Sequence, residues 1–214
     1  IFMKQTKSHI HRHTRRRILS ALTACGLFLS LSITGCSNAP EENDSSTKNT
    51  TASAETSSDT ASSSLLGDFT AVTQSGETVD QTLFAQADVT MINVWTTFCT
   101  YCLDEMPALQ SLSEEYKDEG FQVVGIVSDV AKSDDETVQN IIDATGTEYM
   151  HIIPSSDLRT GFLKNVQSVP TTFFVDSNGK QIGDPYLGAK DQDAWAKIIE
   201  EMLRTVQENN KAGE

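Results

Sequence analysis

The stretch "WTTFCTYCLDEMP", residues 95–107, sets Cys99 and Cys102 three positions apart. A pair so spaced serves one of three chemistries: a soft metal site, a covalent staple, or reversible electron transfer. A structural zinc site wants four ligands, commonly from two such pairs. Here the other two cysteines, Cys25 and Cys36, lie in an N-terminal stretch of different character. The only histidine beyond that stretch is His151. It falls in a predicted strand, where a histidine serves packing or surface. A staple closing so short a loop restrains the unfolded chain by roughly 2 kcal/mol on the chain-entropy model. It would cross-link nothing distant. Electron transfer, by contrast, uses the spacing. A thiolate at a helix start is stabilised by free backbone N–H groups and the helix dipole. A second thiol one turn later can attack a mixed disulfide formed at the first. The reading favoured is a redox-active Cys99–Cys102 disulfide, with no metal or organic cofactor.

The elements around the pair follow from hydrophobic periodicity. "VTMINVW" (89–95) is a mostly apolar run of β-formers and predicts a buried central strand ending at the cysteine loop. Apolar residues at helical spacing (Leu103, Met106, Leu109, Leu112, Tyr116) predict a helix over 101–118, closed by Gly120. "FQVVGIVS" (121–128) predicts a second buried strand. "ETVQNIIDAT" (136–145) predicts a helix stopped by Gly146, and "YMHII" (149–153) a short strand. Residues 156–166 predict one helix with Ser156 or Asp157 as N-cap. Thr171–Val175 and "QIGDPYLG" form a hairpin about Asn178-Gly179. The segment 191–207 is an amphipathic helix with Trp195, Ile198, Ile199, Met202 and Leu203 inward. Ahead of all these, "FTAVT" and "ETVDQ" flank Ser75-Gly76 as a short hairpin. Strands alternating with helices imply an α/β domain with a central mixed sheet covered on both faces.

The rest of the chain is of two other kinds. The first 35 residues hold Lys4, Lys7, Arg12, Arg15, Arg16 and Arg17 and no acid, which leaves ten basic residues against all thirty acids in the remainder. So acidic a body excludes a nucleic-acid role, which needs a basic surface. Membrane attachment would likewise need a hydrophobic anchor. The basic segment runs into an apolar stretch, 18–33, and then "TGC": the pattern of a secretory signal peptide, too short for a spanning helix of about 20 residues. "ITGC" resembles a bacterial lipobox, implying cleavage before Cys36 and lipidation of its sulfur. His9, His11 and His13 fall in the discarded part. Ser and Thr fill half of positions 37–64, a composition that cannot offset its ordering entropy. The expected organisation is signal peptide 1–35, lipidated Cys36 and flexible tether 36–64, and folded domain 65–214. The tether's mean reach is about 30 Å.

The folded part resembles the thioredoxin superfamily, and within it the membrane-tethered TlpA/ResA-like thiol–disulfide oxidoreductases of bacteria. The blocks "INVWTTFCTYCLDEMP" and "SVPTTFFVDSNGK" carry the likeness. The resemblance implies a thioredoxin-like fold with an N-terminal β-hairpin extension. It makes Cys99 the nucleophile and Cys102 the resolving thiol, and places Trp95 beside the active-site loop. Val169-Pro170 should form a cis peptide facing the cysteines. Asn93 falls where cytoplasmic thioredoxins carry a buried, titrating Asp, and Asn cannot titrate. Glu105, three residues after Cys102, matches a glutamate thought to do related proton work. The competing reading is a solvated helix acid like Asp104. Thr100-Tyr101, between the cysteines, lacks the proline or histidine of other branches, which leaves the direction of electron flow open.

These residues imply an extracytoplasmic, lipid-anchored enzyme that reduces disulfides or sulfenic acids of exported proteins. A DsbD/CcdA-type membrane carrier would supply its electrons. A thiol peroxidase with a P-x-x-x-T/S-x-x-C motif would need proline at position 92, which is Ile92. A copper- or solute-binding lipoprotein on the same fold would need a longer cysteine spacing and a partner histidine.

Overall fold

The computed structural model describes residues 64–212. The signal peptide, lipidation site Cys36 and tether expected over 1–64 lie outside the described residues, except for Ser64. Strands β1 (Thr70–Thr73), β2 (Thr78–Asp80), β3 (Val89–Trp95), β4 (Phe121–Val127), β5 (Met150–Ile153), β6 (Thr171–Asp176) and β7 (Tyr186–Leu187) form one sheet. Its order is β2-β1-β5-β4-β3-β6-β7. β3 and β4 run parallel, as do β4 and β5, while β6 is antiparallel to β3. The N-terminal hairpin β1–β2 joins the sheet edge through antiparallel pairing of β1 with β5.

Central position explains the apolar run of β3. Every residue of it is buried, because it pairs on both sides and is covered on both faces. Helix α1 (Thr100–Tyr116), α2 (Glu136–Thr145) and α4 (Gln192–Ala212) cover the face bearing Met91, Asn93 and Trp95. There Val89 and Met91 pack with Leu109 and Leu112 of α1 and Trp195 and Ile199 of α4. Trp95 packs with Cys102, Met106 and α2 residues Val138 and Ile141. On the opposite face Ile92 and Val94 pack with Phe69, Phe84, Leu158 and Phe162. Each such buried side chain contributes roughly 1.5–3 kcal/mol of transfer free energy.

The stops are chemical. Gly146 ends α2 at φ 64°, its N–H bonded to the Ile142 carbonyl, a left-handed conformation that glycine adopts without steric cost. The predicted helix over 156–166 is not continuous. Ser155, not Ser156 or Asp157, is the N-cap, and α3 (Ser156–Thr160) gives way at Gly161 to a 3₁₀ turn, Phe162–Asn165. Gly161 has φ −94° and ψ −95°, outside helical geometry, and this break lets Phe162 enter the core. The second strand of the last hairpin is also shorter than predicted. Gln181 makes only an isolated bridge to Val175, and regular pairing resumes at Tyr186–Leu187. Gly183 at φ 65° and Pro185, which has no N–H, interrupt the ladder between them. Helix α4 extends to Ala212 and buries Val206 as well.

Candidate active site

β3 delivers the cysteine loop to one end of the sheet, and α1 begins there. Cys99 is the N-cap of α1, and its Sγ accepts the backbone N–H of Cys102 at 3.2 Å. The sulfur thus occupies the place where a Ser or Asp oxygen usually caps a helix. No acid sits in the first turn of α1, so nothing there offsets the dipole's preference for negative charge. Cys99 is half-buried, Cys102 is fully buried, and the two are joined in a disulfide. Asp129 braces the approach to Cys99. Its carboxylate accepts the Thr97 backbone N–H at 3.0 Å and the Thr97 hydroxyl.

Phe98 and Tyr101 flank Cys99 and stand 78% and 74% exposed. Leu187 is also exposed and lies opposite Thr171, the residue after Pro170. The Val169–Pro170 peptide bond is cis. Val169 packs on the cluster that contains Cys99, Cys102 and Trp95.

Glu105 lies on α1 one turn beyond Cys102 and is only 3% exposed, whereas Asp104 is at the surface. A buried carboxylate needs donors, and Glu105 has three. Asn93 Nδ2 donates to Oε1 at 3.0 Å, Trp195 Nε1 to Oε2 at 3.1 Å, and the Lys190 backbone N–H to Oε2 at 3.2 Å. Burial pushes its carboxyl pKa up, and the three donors and the Lys190 charge pull it back part of the way. The Lys190 ammonium sits over the rings of Trp195 and Tyr186, at 5.4 and 5.6 Å from their centroids. Asn93 also donates to Thr172 Oγ1 at 3.0 Å. Of the residues singled out in the sequence, Cys99, Cys102, Trp95 and Val169 share one packed cluster, while Asn93 and Glu105 meet directly. Cys36 lies outside the described residues.

Trp195, Lys190 and His151 are not site residues by sequence reasoning, although two of them hold Glu105. Trp195 reads as core from helical periodicity alone. Its signal is that a buried indole N–H requires an acceptor, but the sequence does not say which. Among the described residues no group of three or more His, Cys, Asp or Glu is placed to hold a metal ion.

Residues 64–181, more than half of the chain, match the AhpC/TSA family, and the protein belongs to it. Its fold is thioredoxin-like. Thiol-disulfide oxidoreductase ResA of Oceanobacillus iheyensis is 32% identical over 114 residues, covering 50% of this chain and 56% of that one. Thiol:disulfide interchange protein DsbE of Pseudomonas fluorescens biotype C is 32% identical over 120 residues, covering 54% and 62%. The matches therefore span less than two thirds of either relative's length. Among solved structures, a thiol:disulfide interchange protein of Chlorobium tepidum TLS aligns with TM-score 0.55 at 20% identity, over 68% of this chain and 99% of that one.

Proposed function

We propose that the protein is a thiol–disulfide oxidoreductase that acts outside the cytoplasm on disulfides, or sulfenic acids, of exported proteins. The observation that carries this is the asymmetry of the pair: Cys99 half-exposed as the cap of α1, Cys102 fully buried behind it. In the reduced protein the Cys99 thiolate attacks one sulfur of a substrate disulfide. That bond breaks, the second substrate sulfur leaves as a thiolate and takes a proton, and a mixed disulfide remains. Cys102 then loses its proton, attacks Cys99 Sγ and expels the first substrate sulfur. Two electrons have passed to the substrate, and the Cys99–Cys102 disulfide is formed. With a sulfenic acid the first step releases water instead.

Glu105 is the available base for the Cys102 proton. It lies on the same face of α1, and its raised pKa moves a carboxylate toward the range where it accepts a proton near neutrality. Asn93 cannot do this. The exposed Phe98, Tyr101 and Leu187 suit an apolar polypeptide segment beside the substrate sulfur. Thiol peroxidation is the less supported activity. Ile92, where its motif requires proline, is mid-strand and paired on both sides, with Val124 and Phe173.

The extracytoplasmic setting is inferred from the N-terminal sequence: a signal-like segment, then "ITGC" with Cys36 for lipidation, then a Ser/Thr-rich tether. Among the described residues no helix is long and apolar enough to cross a membrane. A DsbD/CcdA-type membrane protein is the proposed source of electrons. Trapping tests the whole reading. Cys102→Ser should accumulate mixed disulfides with exported proteins, and Cys99→Ser should not. Equal trapping by both variants would refute the assignment.

A further inference from the structure

A cleft of about 320 Å³ lies beside the disulfide and is lined by residues from both segments that flank it. Thr96 lines it from the cysteine loop, and its carbonyl accepts the Cys99 backbone N–H at 3.2 Å. Val169, which packs with Cys99, Cys102 and Trp95, lines it from the other segment, together with Gln167 and Ser168. Ser128 and the half-buried Arg159 of α3 complete its polar lining.

Backbone carbonyls hold the Arg159 guanidinium. Nε donates to the Pro154 carbonyl at 3.2 Å, Nη1 to the Ser128 carbonyl at 3.0 Å, and Nη2 to the Val130 carbonyl. These carbonyls, just beyond the ends of β4 and β5, fix the plane of the group but carry no net charge to cancel its own. A guanidinium has five N–H groups, so two remain, one on each terminal nitrogen. Asp129, between two of the carbonyl residues, does not take them: its carboxylate receives the Thr97 N–H and hydroxyl. Among the described residues no acid lines the cleft. The chain holds thirty acids against sixteen Lys and Arg, so a fixed cation left without a carboxylate calls for a reason. Gln167 and Ser168, both exposed, add donors beside it.

We propose that this cleft is a carboxylate subsite for the substrate, with Arg159 its specificity-determining residue. A disulfide that carries a carboxylate a few bonds from the sulfur bound at Cys99 sets that group against the two spare N–H groups. A planar guanidinium already fixed in place suits a carboxylate better than an ammonium does, because little freedom is lost as the bonds form. At this one point the subsite offsets the repulsion that so acidic a protein exerts on an anionic substrate. An acidic residue beside a polypeptide's cysteine and a glutathionyl group both present such a carboxylate. The subsite's role in catalysis rests on the proposed oxidoreductase activity, whereas its affinity for the anion does not.

Three small disulfides test it on the full chain: oxidised glutathione, an anion; bis(2-hydroxyethyl) disulfide, which is neutral; and cystamine, a dication. Gln167→Glu puts a negative charge into the cleft at an exposed position that the Arg159 anchorage does not use. It should raise KM for oxidised glutathione about threefold, lower KM for cystamine, and leave the neutral disulfide unchanged. Ratios of variant to native cancel the long-range field of the acidic body. Arg159→Gln should lower kcat/KM about tenfold for oxidised glutathione and spare the other two. If that variant does not fold, Gln167→Glu decides alone. Equal effects on all three disulfides would overturn the proposal. Peptide disulfides with Asp or Asn beside the cysteine separate the two sources. A preference for Asp marks an acidic polypeptide; indifference, with the glutathione effect intact, marks the glutathionyl group. Binding is read separately in the oxidised protein, where oxidised glutathione should shift the Arg159 guanidinium signals in ¹⁵N–¹H spectra and cystamine should not. A native protein that reduces none of these disulfides would refute the activity instead. Those signals then judge the subsite, and their failure to move would refute it.

Discussion

The side-chain amide of Asn93 donates one hydrogen to Glu105 Oε1 and the other to Thr172 Oγ1, both at 3.0 Å. One nitrogen thus joins α1 to β3 and β6, with Glu105 one helical turn beyond Cys102. Asn93 Oδ1 has no partner. Turning the amide over would offer that oxygen to a protonated Glu105, so the site can serve either protonation state of the carboxyl.

Glu105→Gln follows from this. The variant retains the shape, and an Asn93 flip satisfies the new amide. It should leave the fold and Cys99 alkylation largely intact while slowing the resolving step by about 10²–10⁴, the usual worth of a positioned base. Rates of model disulfide reduction from pH 6 to 9 check it. A native rate across that range would remove Glu105 from the mechanism.

Trp195→Phe removes the indole donor from Glu105 Oε2. That bond lowers the Glu105 pKa, so its loss should raise the pKa further and move the pH–rate profile upward. Leaving a buried carboxylate one donor short should also cost about 1.5–3 kcal/mol, read by denaturant unfolding. An unmoved profile would mean that Trp195 serves packing alone.

Gly125→Ala would drive a methyl group into the rings of His151 and Trp95. Both rings are locked in the core, so neither yields without displacing its neighbours. The expected cost is about 1–3 kcal/mol, measured as a fall in thermal midpoint. A Gly125→Ala variant as stable as the native protein would show that the rings part freely.

Burial depresses the His151 pKa from 6.5 to about 4. The groups packed on it, Trp95, Tyr149 and Thr147, carry no charge at neutral pH, and Glu77 and Glu148 line the cleft outside with it. Between these two pKa values the unfolded chain binds the proton and the folded one does not. Stability from the neutral ring is therefore full above about pH 6.5 and is lost as pH falls toward 4, by on the order of 3 kcal/mol. Glu105, whose carboxyl is raised, works in the opposite direction over part of this range. The difference between native and His151→Asn unfolding curves isolates the histidine. No pH dependence in that difference would contradict the burial argument.

What the sequence alone determined is what short-range chemistry specifies. β3 matches the predicted span because a mostly apolar run rich in β-formers is buried on both faces at the centre of the sheet. α2 matches because Gly146 ends it locally. The Cys99–Cys102 spacing, the proline after Val169 and the position of Glu105 one turn from Cys102 are likewise visible in a line of text. Where the local signal is weak, sequence and structure differ: Gly161 breaks a helix that periodicity alone would continue.

Only the tertiary structure decided whether Glu105 was a surface acid or a buried one. Its partners Lys190 and Trp195 are 85 and 90 residues away, and Thr172, which shares the Asn93 amide, is 79 residues from Asn93. The same holds for His151, which reads as an ordinary strand residue until register sets it against Gly125. Periodicity reports which side of an element is buried. Which donor meets which acceptor there depends on strand register and helix placement, and those are set by the packing of the whole core.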